Sequence, residues 1–161
     1  MLDRAVIEFW RHGYAGLGLD DLLTQIGFSR ASMYRTFGSK ADFYALALDR
    51  YRLTEGNKFH ECLNSTGSVT DAVAAVFGLI VDQSVDPNRP PGCFVVAATA
   101  ERVPDDQRTT GQVTEKLDIL CGLFEQLFRR AQAQREIPAD FDATRWARFT
   151  VSAIRSPCAR A

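Results

Sequence analysis

The strongest constraint on the fold of this chain lies in residues 22–40, where two short helical segments are separated by a single glycine turn. Gly27 stands where the first segment must end, because a residue without a Cβ atom adopts the left-handed conformation at little cost. Ser29 follows, and its hydroxyl can accept a hydrogen bond from a backbone amide two or three residues further on. The second helix is therefore predicted to begin at Arg30, and two helices joined this tightly form a helix-turn-helix.

The second helix, residues 30–37, is predicted to have one buried face and one exposed face. Met33 and Phe37 are four residues apart, so they lie on the same side of a helix. The opposite side carries Arg30, Ala31, Tyr34 and Arg35. One face can therefore pack against the protein while the other is free to enter a groove.

The charge of this segment favours a polyanionic partner. Residues 27–40 contain Arg30, Arg35 and Lys40 but no acidic residue, whereas the whole chain has a net charge of −1. A surface that attracts phosphate must therefore be local. An ordinary solvated basic face is the alternative reading, but the glycine turn, the serine cap and the outward Tyr34 together favour nucleic-acid binding.

The run from residue 5 to residue 51 resembles the N-terminal DNA-binding domain of TetR-family transcriptional regulators. The resemblance covers three helices and the start of a fourth without a gap. It is carried by GY at Gly13 and Tyr14, by DDL at residues 20–22, and by the segments IGFSRASMYRTF and GSKADF. The family implies an all-α protein in which a three-helix DNA-binding head, residues 1–50, is linked by helix 4 to a helical-bundle body, residues 51–161.

The resemblance also implies which side chains contact DNA. Arginine can make a bidentate contact to guanine, and small side chains can lie against a thymine methyl group or a polar base edge. Base contacts are implied for Arg30, Ala31, Ser32 and Arg35, phosphate contacts for Tyr34 and Lys40, and Ser29 and Thr36 complete the set.

Two departures from the family pattern lie near the start of the chain. Leu17 and Gly18 stand where a pair of hydroxyl residues commonly caps the second helix, so one phosphate contact is expected to be missing. Met1 is followed at once by the first predicted helix, so no basic arm is expected to follow the minor groove. Both departures predict weaker DNA affinity without a change of fold.

The remaining sequence predicts helices throughout and no strand. Apolar residues recur at helical spacing, and the prolines of residues 86–92 force a loop because they lack amide donors. NSTGS at 64–68 is predicted to be a polar turn. The predicted helices cover residues 2–12, 40–63, 69 or 70 onward, 93–102, 105–134, and a segment around 146–154 that is interrupted at Ser156 and Pro157.

The resemblance implies that the body binds a small-molecule effector and forms a homodimer. An aromatic residue at helical spacing is more often a packing residue than a ligand contact, so packing remains the alternative for each candidate. The candidate ligand-binding residues are Phe59, Cys62, Phe77, Phe94, Phe124 and Phe128. The family dimerises through its last two long helices, and the chain stops at Ala161 where the last of them is expected. The candidate dimer residues are Trp146, Phe149 and Ile154.

Other kinds of chemistry receive little support from the sequence. The four cysteines are too widely spaced for a zinc site and are predicted to be small buried apolar residues, with redox sensing as the sharper alternative; they are Cys62, Cys93, Cys121 and Cys158. We expect no metal, no cofactor and no catalytic site. No apolar run is long enough to span a bilayer and no signal pattern is present, so a cytoplasmic location is expected.

The sequence thus predicts a DNA-binding transcriptional regulator, most simply a repressor that a small molecule releases from a palindromic operator. A helical binding module or small-molecule carrier without DNA specificity is the alternative. The two predict opposite outcomes when the protein is offered a random pool of DNA.

Overall fold

The computed structural model describes residues 1–64 and 67–158, with side chains described as far as residue 155. These residues form helices and connecting loops without a strand, as predicted. The polar turn predicted at 64–68 lies partly outside the described residues. The eight helices are α1 (Leu2–His12), α2 (Leu19–Ile26), α3 (Arg30–Phe37), α4 (Lys40–Asn64), α5 (Val69–Val85), α6 (Phe94–Arg102), α7 (Gln107–Ala133) and α8 (Ala143–Cys158).

The predicted interruption of the eighth helix is wrong. The backbone of α8 remains helical through positions 156 and 157 and ends at Cys158. Pro157 lacks an amide hydrogen and so removes one helical hydrogen bond, but it lies in the last turn, where few further bonds depend on it. A proline so close to the end of a helix can therefore be accommodated.

The head is built around aromatic residues of α1 and α4. Phe9 and Phe43 are fully buried, with their rings 6.0 Å apart in an edge-to-face arrangement. Phe37, the last residue of α3, stacks on Phe43 at a centroid distance of 4.4 Å. Offset and edge-to-face aromatic pairs add directional preference to ordinary apolar burial. The end of α3 is thereby held against the start of α4.

The head and the body share apolar packing through α6. Phe94, the first residue of α6, is buried between Tyr44 and Tyr51 of α4, with ring centroids 5.4 Å and 5.6 Å away. Trp10 of α1 donates a hydrogen bond from Nε1 to the backbone carbonyl of Pro91, just before α6. The head therefore packs directly on α6, and the division of the chain at residue 50 remains a prediction.

A second core fills the body between α4, α5, α7 and α8. Its centre is Phe124 of α7, which is fully buried, and Phe128 lies one turn further along the same helix. Leu117 of α7 packs against both this core and the core of the head. None of the described helices is long and apolar enough to cross a membrane.

Candidate DNA interface and effector cavity

The turn between α2 and α3 has the predicted geometry. Gly27 adopts the left-handed conformation, with φ 68° and ψ 42°. Ser29 caps α3, because its Oγ accepts a hydrogen bond from the amide of Ser32 at 3.1 Å and donates to the Ser32 hydroxyl at 2.9 Å. Turn and cap together fix the residue at which α3 begins.

The inner face of α3 anchors the helix to the head. Met33 is fully buried, and Phe37 packs between Phe28 and Phe43. Phe28 is half-buried and packs against the core of the head. Side chains on the outer face of α3 are therefore presented from a helix whose position is set by packing.

The outer face of α3 carries the predicted DNA contacts. Tyr34 is 49% exposed, and neither it nor Arg35 contacts another side chain through a described hydrogen bond or ion pair. Ser32 is only half-buried. The exposed members of the predicted set are Ser29, Arg30, Ala31, Tyr34, Arg35 and Thr36.

Arg30 is held by an acidic residue that sequence reasoning did not assign to the interface. Its Nε and Nη2 both donate to Oδ1 of Asp20 in α2, at 3.0 Å and 2.5 Å. The hydrogen bonds that Arg30 donates to Asp20 raise the pKa of the guanidinium. The two residues lie ten positions apart and on different helices, so no helical spacing indicates the pair. Only the packing of α2 against α3 brings them together.

Lys40 lies mainly within the head. Its ammonium donates to the backbone carbonyl of Tyr14 at 2.6 Å and to that of Leu17 at 2.5 Å, and it lies 4.6 Å from the centre of the Tyr14 ring. Burial lowers the pKa of this ammonium. Since an ammonium has three donors, two of them hold the α1–α2 turn and one remains for the predicted phosphate contact.

Glu101, at the end of α6, holds the other side of the same turn. Its carboxylate accepts hydrogen bonds from the amides of Tyr14 at 2.8 Å and Ala15 at 2.7 Å. The neighbouring Arg102 lies 3.9 Å from the centre of the Tyr14 ring. This link between body and head was missed by sequence reasoning, because nothing in the sequence pairs residues more than 80 positions apart.

A groove of about 620 Å³ runs along the body between α4 and α7. Two large apolar side chains are exposed in it, namely Leu53 at 65% and Ile119 at 54%. At its rim Arg52 donates to Asp49 and to Glu115, each at 2.6 Å. A groove of this size falls within the range of small-molecule sites.

A smaller cavity of about 80 Å³ lies further inside the body. The groove and the cavity share three lining residues, Phe59, Lys116 and Leu120. The inner cavity is also lined by the start of α6, through Cys93, Val95 and Val96, and by the end of α8. It therefore touches the same helix whose other end carries Glu101.

The predicted ligand-binding residues fall into different environments. Phe59 lines both cavities, and its contact with a ligand stays a prediction. Phe94 is a packing residue of the head core, and Phe124 and Phe128 are packing residues of the body core. Cys62 is half-buried beside the body core. For these four residues the packing alternative describes the structure.

Phe77, the remaining ligand-binding candidate, is not buried in the body core. The inward face of α5 is formed by Ala72, Val76 and Ile80, which are four residues apart. Phe77 is one position out of this register and is 38% exposed, and Val81 is 59% exposed. An apolar run wider than the buried face of a helix cannot be resolved by periodicity alone.

The three predicted dimer residues divide into exposed and buried groups. Trp146 is 45% exposed and Phe149 is 62% exposed, with their rings 5.4 Å apart on α8. The Trp146 ring also stacks on Phe141 at 5.7 Å. Ile154, in contrast, is buried in the body core and lines the inner cavity, so its side chain is not presented to a partner.

The described cysteines are each half-buried, in partial agreement with their prediction as buried apolar residues. Cys93 precedes α6 and accepts a hydrogen bond from the Tyr51 hydroxyl at 3.4 Å. Burial raises the pKa of the Cys121 thiol. The side chain of Cys158 lies outside the described part, and the residues within it contain no cluster of potential metal ligands.

A basic recognition helix that projects from a rigid three-helix head defines a helix-turn-helix DNA-binding protein. Residues 1–47 match the family described as "Bacterial regulatory proteins, tetR family", and residues 69–161 match "Tetracyclin repressor-like, C-terminal domain". The chain belongs to the TetR family of transcriptional regulators, which are not enzymes.

Two relatives of known sequence align with most of the chain. It is 31% identical over 150 residues to the uncharacterized HTH-type transcriptional regulator YezE of Bacillus subtilis, covering 92% of this chain and 77% of YezE. It is 29% identical over 150 residues to the HTH-type transcriptional repressor ComR of Escherichia coli, covering 92% of this chain and 71% of ComR.

Solved structures have the same fold. A cysteine mutant of the TetR family transcriptional regulator CifR, complexed with 26 bp double-strand operator DNA, superimposes with a TM-score of 0.88 at 27% identity, covering 98% of this chain and 82% of CifR. The reduced form of Escherichia coli NemR gives a TM-score of 0.87 at 21% identity, covering 99% of this chain and 84% of NemR. The NemR likeness concerns the fold alone.

Proposed function

We propose that the protein is a homodimeric repressor, active in the cytoplasm, that a small-molecule effector releases from a palindromic operator. The proposal depends most on the exposed outer face of α3, where Tyr34 and Arg35 project from an anchored helix. The similarity of the chain to a relative named as a repressor, and to a regulator complexed with operator DNA, supports the proposal.

In this proposal α3 lies in the major groove of DNA. Arg30 and Arg35 contact guanine edges, and Ala31 and Ser32 lie against neighbouring bases. Tyr34 and the remaining donor of Lys40 contact phosphate, with Ser29 and Thr36 at the margin of the interface. Phosphate contacts set the position of the helix, and base contacts supply the preference for one sequence.

The proposed dimer uses the exposed side of α8. Trp146 and Phe149 form a continuous aromatic surface there, and exposed aromatic residues are enriched in protein interfaces. A two-fold dimer places two copies of α3 in successive major grooves, about 34 Å apart, and requires a near-palindromic site. The two-fold symmetry of the proposed operator therefore follows from a dimer formed through this surface of α8.

The proposed release acts through α6. The first turn of this helix lines the inner cavity, and its last turn bears Glu101, which binds the amides of Tyr14 and Ala15. An effector that separates α4 from α7 displaces α6 and, with it, the turn of the head. The distance between the two copies of α3 then no longer matches the DNA, and affinity falls.

The test is selection of bound fragments from a random DNA pool by the full chain. The proposal predicts an enriched sequence with two-fold symmetry, and binding that weakens steeply as salt concentration rises. A matched variant, Arg35→Ala, is expected to lose the enrichment at one base position of each half-site. Recovery of random sequences by the unaltered protein would reject sequence-specific regulation and favour a binding module without DNA specificity.

A further inference from the structure

Lys116 of α7 is a half-buried cation without a carboxylate partner. Its ammonium donates a hydrogen bond of 3.4 Å to the backbone carbonyl of Arg52 and lies 5.8 Å from the ring of Phe59, while Glu55 and Cys93 act on its charge without a hydrogen bond or an ion pair among the described residues. An ammonium has three donors, and each donor withdrawn from water without a partner costs free energy. Burial lowers the pKa of this group. The site is thus incomplete as it stands.

The acidic residues nearest to Lys116 are engaged with other cations. Glu55 accepts hydrogen bonds from Lys58 at 2.9 Å, Arg89 at 3.2 Å and Gln83 at 2.8 Å. Two basic residues therefore surround this single buried carboxylate. Its remaining capacity to balance a third cation is small.

The two acidic residues at the rim of the groove are likewise paired with another cation and not with Lys116. Asp49 and Glu115 both accept from Arg52, which lies between them. Beyond the shared wall, Arg155 of α8 lines the inner cavity, and no described residue forms an ion pair with it. Lys116, which lines both the groove and the inner cavity, and Arg155, which lines the inner cavity, are thus both without an ion-pair partner among the described residues.

The groove beside Lys116 is suited to an apolar molecule. Leu53 and Ile119 are largely exposed in it, and Phe59 and Leu120 form its inner wall. Exposed apolar side chains gathered in one concave site commonly mark a binding site. A Cβ atom at Gly56 would lie 3.4 Å from Nζ of Lys116, an ordinary van der Waals contact, so the ammonium lies directly beside this part of α4.

We propose that the effector is an apolar molecule with one carboxylate, which lies in the α4–α7 groove and places its carboxylate against Nζ of Lys116. The apolar part covers Leu53 and Ile119, and the carboxylate supplies the acceptor that the protein does not. This inference rests on the proposed function, since it names the class of molecule that releases the regulator from DNA.

The site also has a structural connection to α4. Phe59 and Gly56 belong to that helix, while Lys116 and Leu120 belong to α7. A molecule bound between them therefore changes the spacing of two helices, one of which begins in the head at Lys40. Ligand binding at this position can be coupled to DNA binding without a contact to the DNA.

The test uses a panel of aromatic and aliphatic carboxylic acids of increasing size, each paired with its primary amide and its primary amine. Binding to the full chain is measured by isothermal titration calorimetry. For at least one member of the panel, the acid is expected to bind about tenfold to a hundredfold more tightly than its amide. The matching amine is expected to bind most weakly.

Two variants separate the role of Lys116 from general charge. Lys116→Met is expected to reduce the preference for acid over amide to about twofold or less, as expected when a charged hydrogen-bond partner is lost. Arg4→Met removes one positive charge from an exposed residue of α1 that lines neither cavity, and it is expected to keep the preference. Lys116→Gln replaces Lys116→Met if the latter does not fold, as judged by circular dichroism.

The outcomes distinguish this inference from the proposed function. Equal binding of acids and amides, a preference for amines, a preference retained in Lys116→Met, or no binding by any acid would each overturn the carboxylate site. If amides or amines then release the protein from its selected DNA, the proposed regulation stands with another effector class. If no compound binds and the protein selects no DNA sequence, both proposals fail.

Discussion

Arg30 donates from Nε and Nη2 to the same oxygen of Asp20, at 3.0 Å and 2.5 Å. This side-on arrangement leaves the end-on edge of the guanidinium, formed by one N–H of Nη1 and the second N–H of Nη2, without a described partner. Two parallel donors on that edge match the O6 and N7 atoms of guanine. The ion pair with Asp20 therefore favours one orientation of Arg30, in which this edge is available for the guanine contact that we propose.

Replacement of Asp20 by alanine is expected to blur base preference at one position of the operator. Arg30 would then lose its fixed orientation, and ordering a free arginine on binding costs about 1 kcal/mol. The measurement is competitive binding to operators that differ at single positions. Asp21→Ala, an exposed neighbour in the same helix turn, is the control, and identical base profiles for wild type and Asp20→Ala would contradict the orienting role.

Arg35→Ala is expected to weaken binding by about 1 to 3 kcal/mol at one base position, because one bidentate contact is lost. Arg11→Ala removes an equal charge from an exposed position at the end of α1 and serves as the comparison. Binding is measured on the selected operator and on all single-base variants of it. An equal loss on every sequence would assign Arg35 to phosphate instead.

Glu101→Ala is expected to loosen the connection between body and head. The amides of Tyr14 and Ala15 would lose their acceptor, which predicts a fall of about 1 to 3 kcal/mol in the free energy of unfolding. Chemical denaturation measures this change. Glu61→Ala, an exposed position on α4, is expected to have little effect.

The same variant tests how the effector signal travels. If α6 carries the displacement to the head, Glu101→Ala binds effector normally but releases DNA less completely. Full release at saturating effector would show that the path runs through α4 without this contact.

The ion pairs of Glu55 predict that the protein loses stability in acid. Burial alone would raise the pKa of this carboxyl group, but the hydrogen bonds from Lys58 and Arg89 outweigh burial and lower it. A depressed folded-state pKa stabilises the protein above the unfolded value of about 4.3, and this contribution disappears as pH falls through the folded pKa.

The measurement is the melting temperature of wild type and Glu55→Gln across the acidic range. Near neutral pH the wild type should be more stable, and the difference should shrink as pH falls below about 4. Glu61→Gln provides the exposed comparison. A stability difference that does not change with pH would show that Glu55 acts through packing rather than through its charge.

Local signals were sufficient for much of the fold. The left-handed Gly27, the Ser29 cap and the buried Met33 follow from residue chemistry within one turn, so α3 is predicted to the residue. Phe77 could not be placed, because a run of apolar residues on α5 is wider than the face that is buried. The spacing of apolar residues along a helix does not specify how wide a face the neighbouring helices cover.

The features that the sequence did not predict depend on contacts between distant segments. The packing of the helices brings Asp20 to Arg30 and Glu101 to Tyr14, and it leaves Lys116 without a described carboxylate partner. No spacing in the sequence encodes these relationships. Lys40 illustrates the same limit, since a motif position can indicate a DNA contact but not the two carbonyl groups that its ammonium also holds.

Phe149→Glu is expected to separate the proposed dimer. Phe149 is 62% exposed on α8, and a carboxylate at the centre of an apolar interface is desolvated without a partner. Light scattering on the purified protein measures the molecular mass in solution. Phe77→Glu places the same charge on an exposed phenylalanine of α5, outside the proposed surface, and is expected to remain dimeric.

The dissociated variant should bind a half-site as tightly as a full palindrome, because two-headed binding requires the dimer. A wild-type protein that is monomeric at micromolar concentration would overturn the two-headed mechanism.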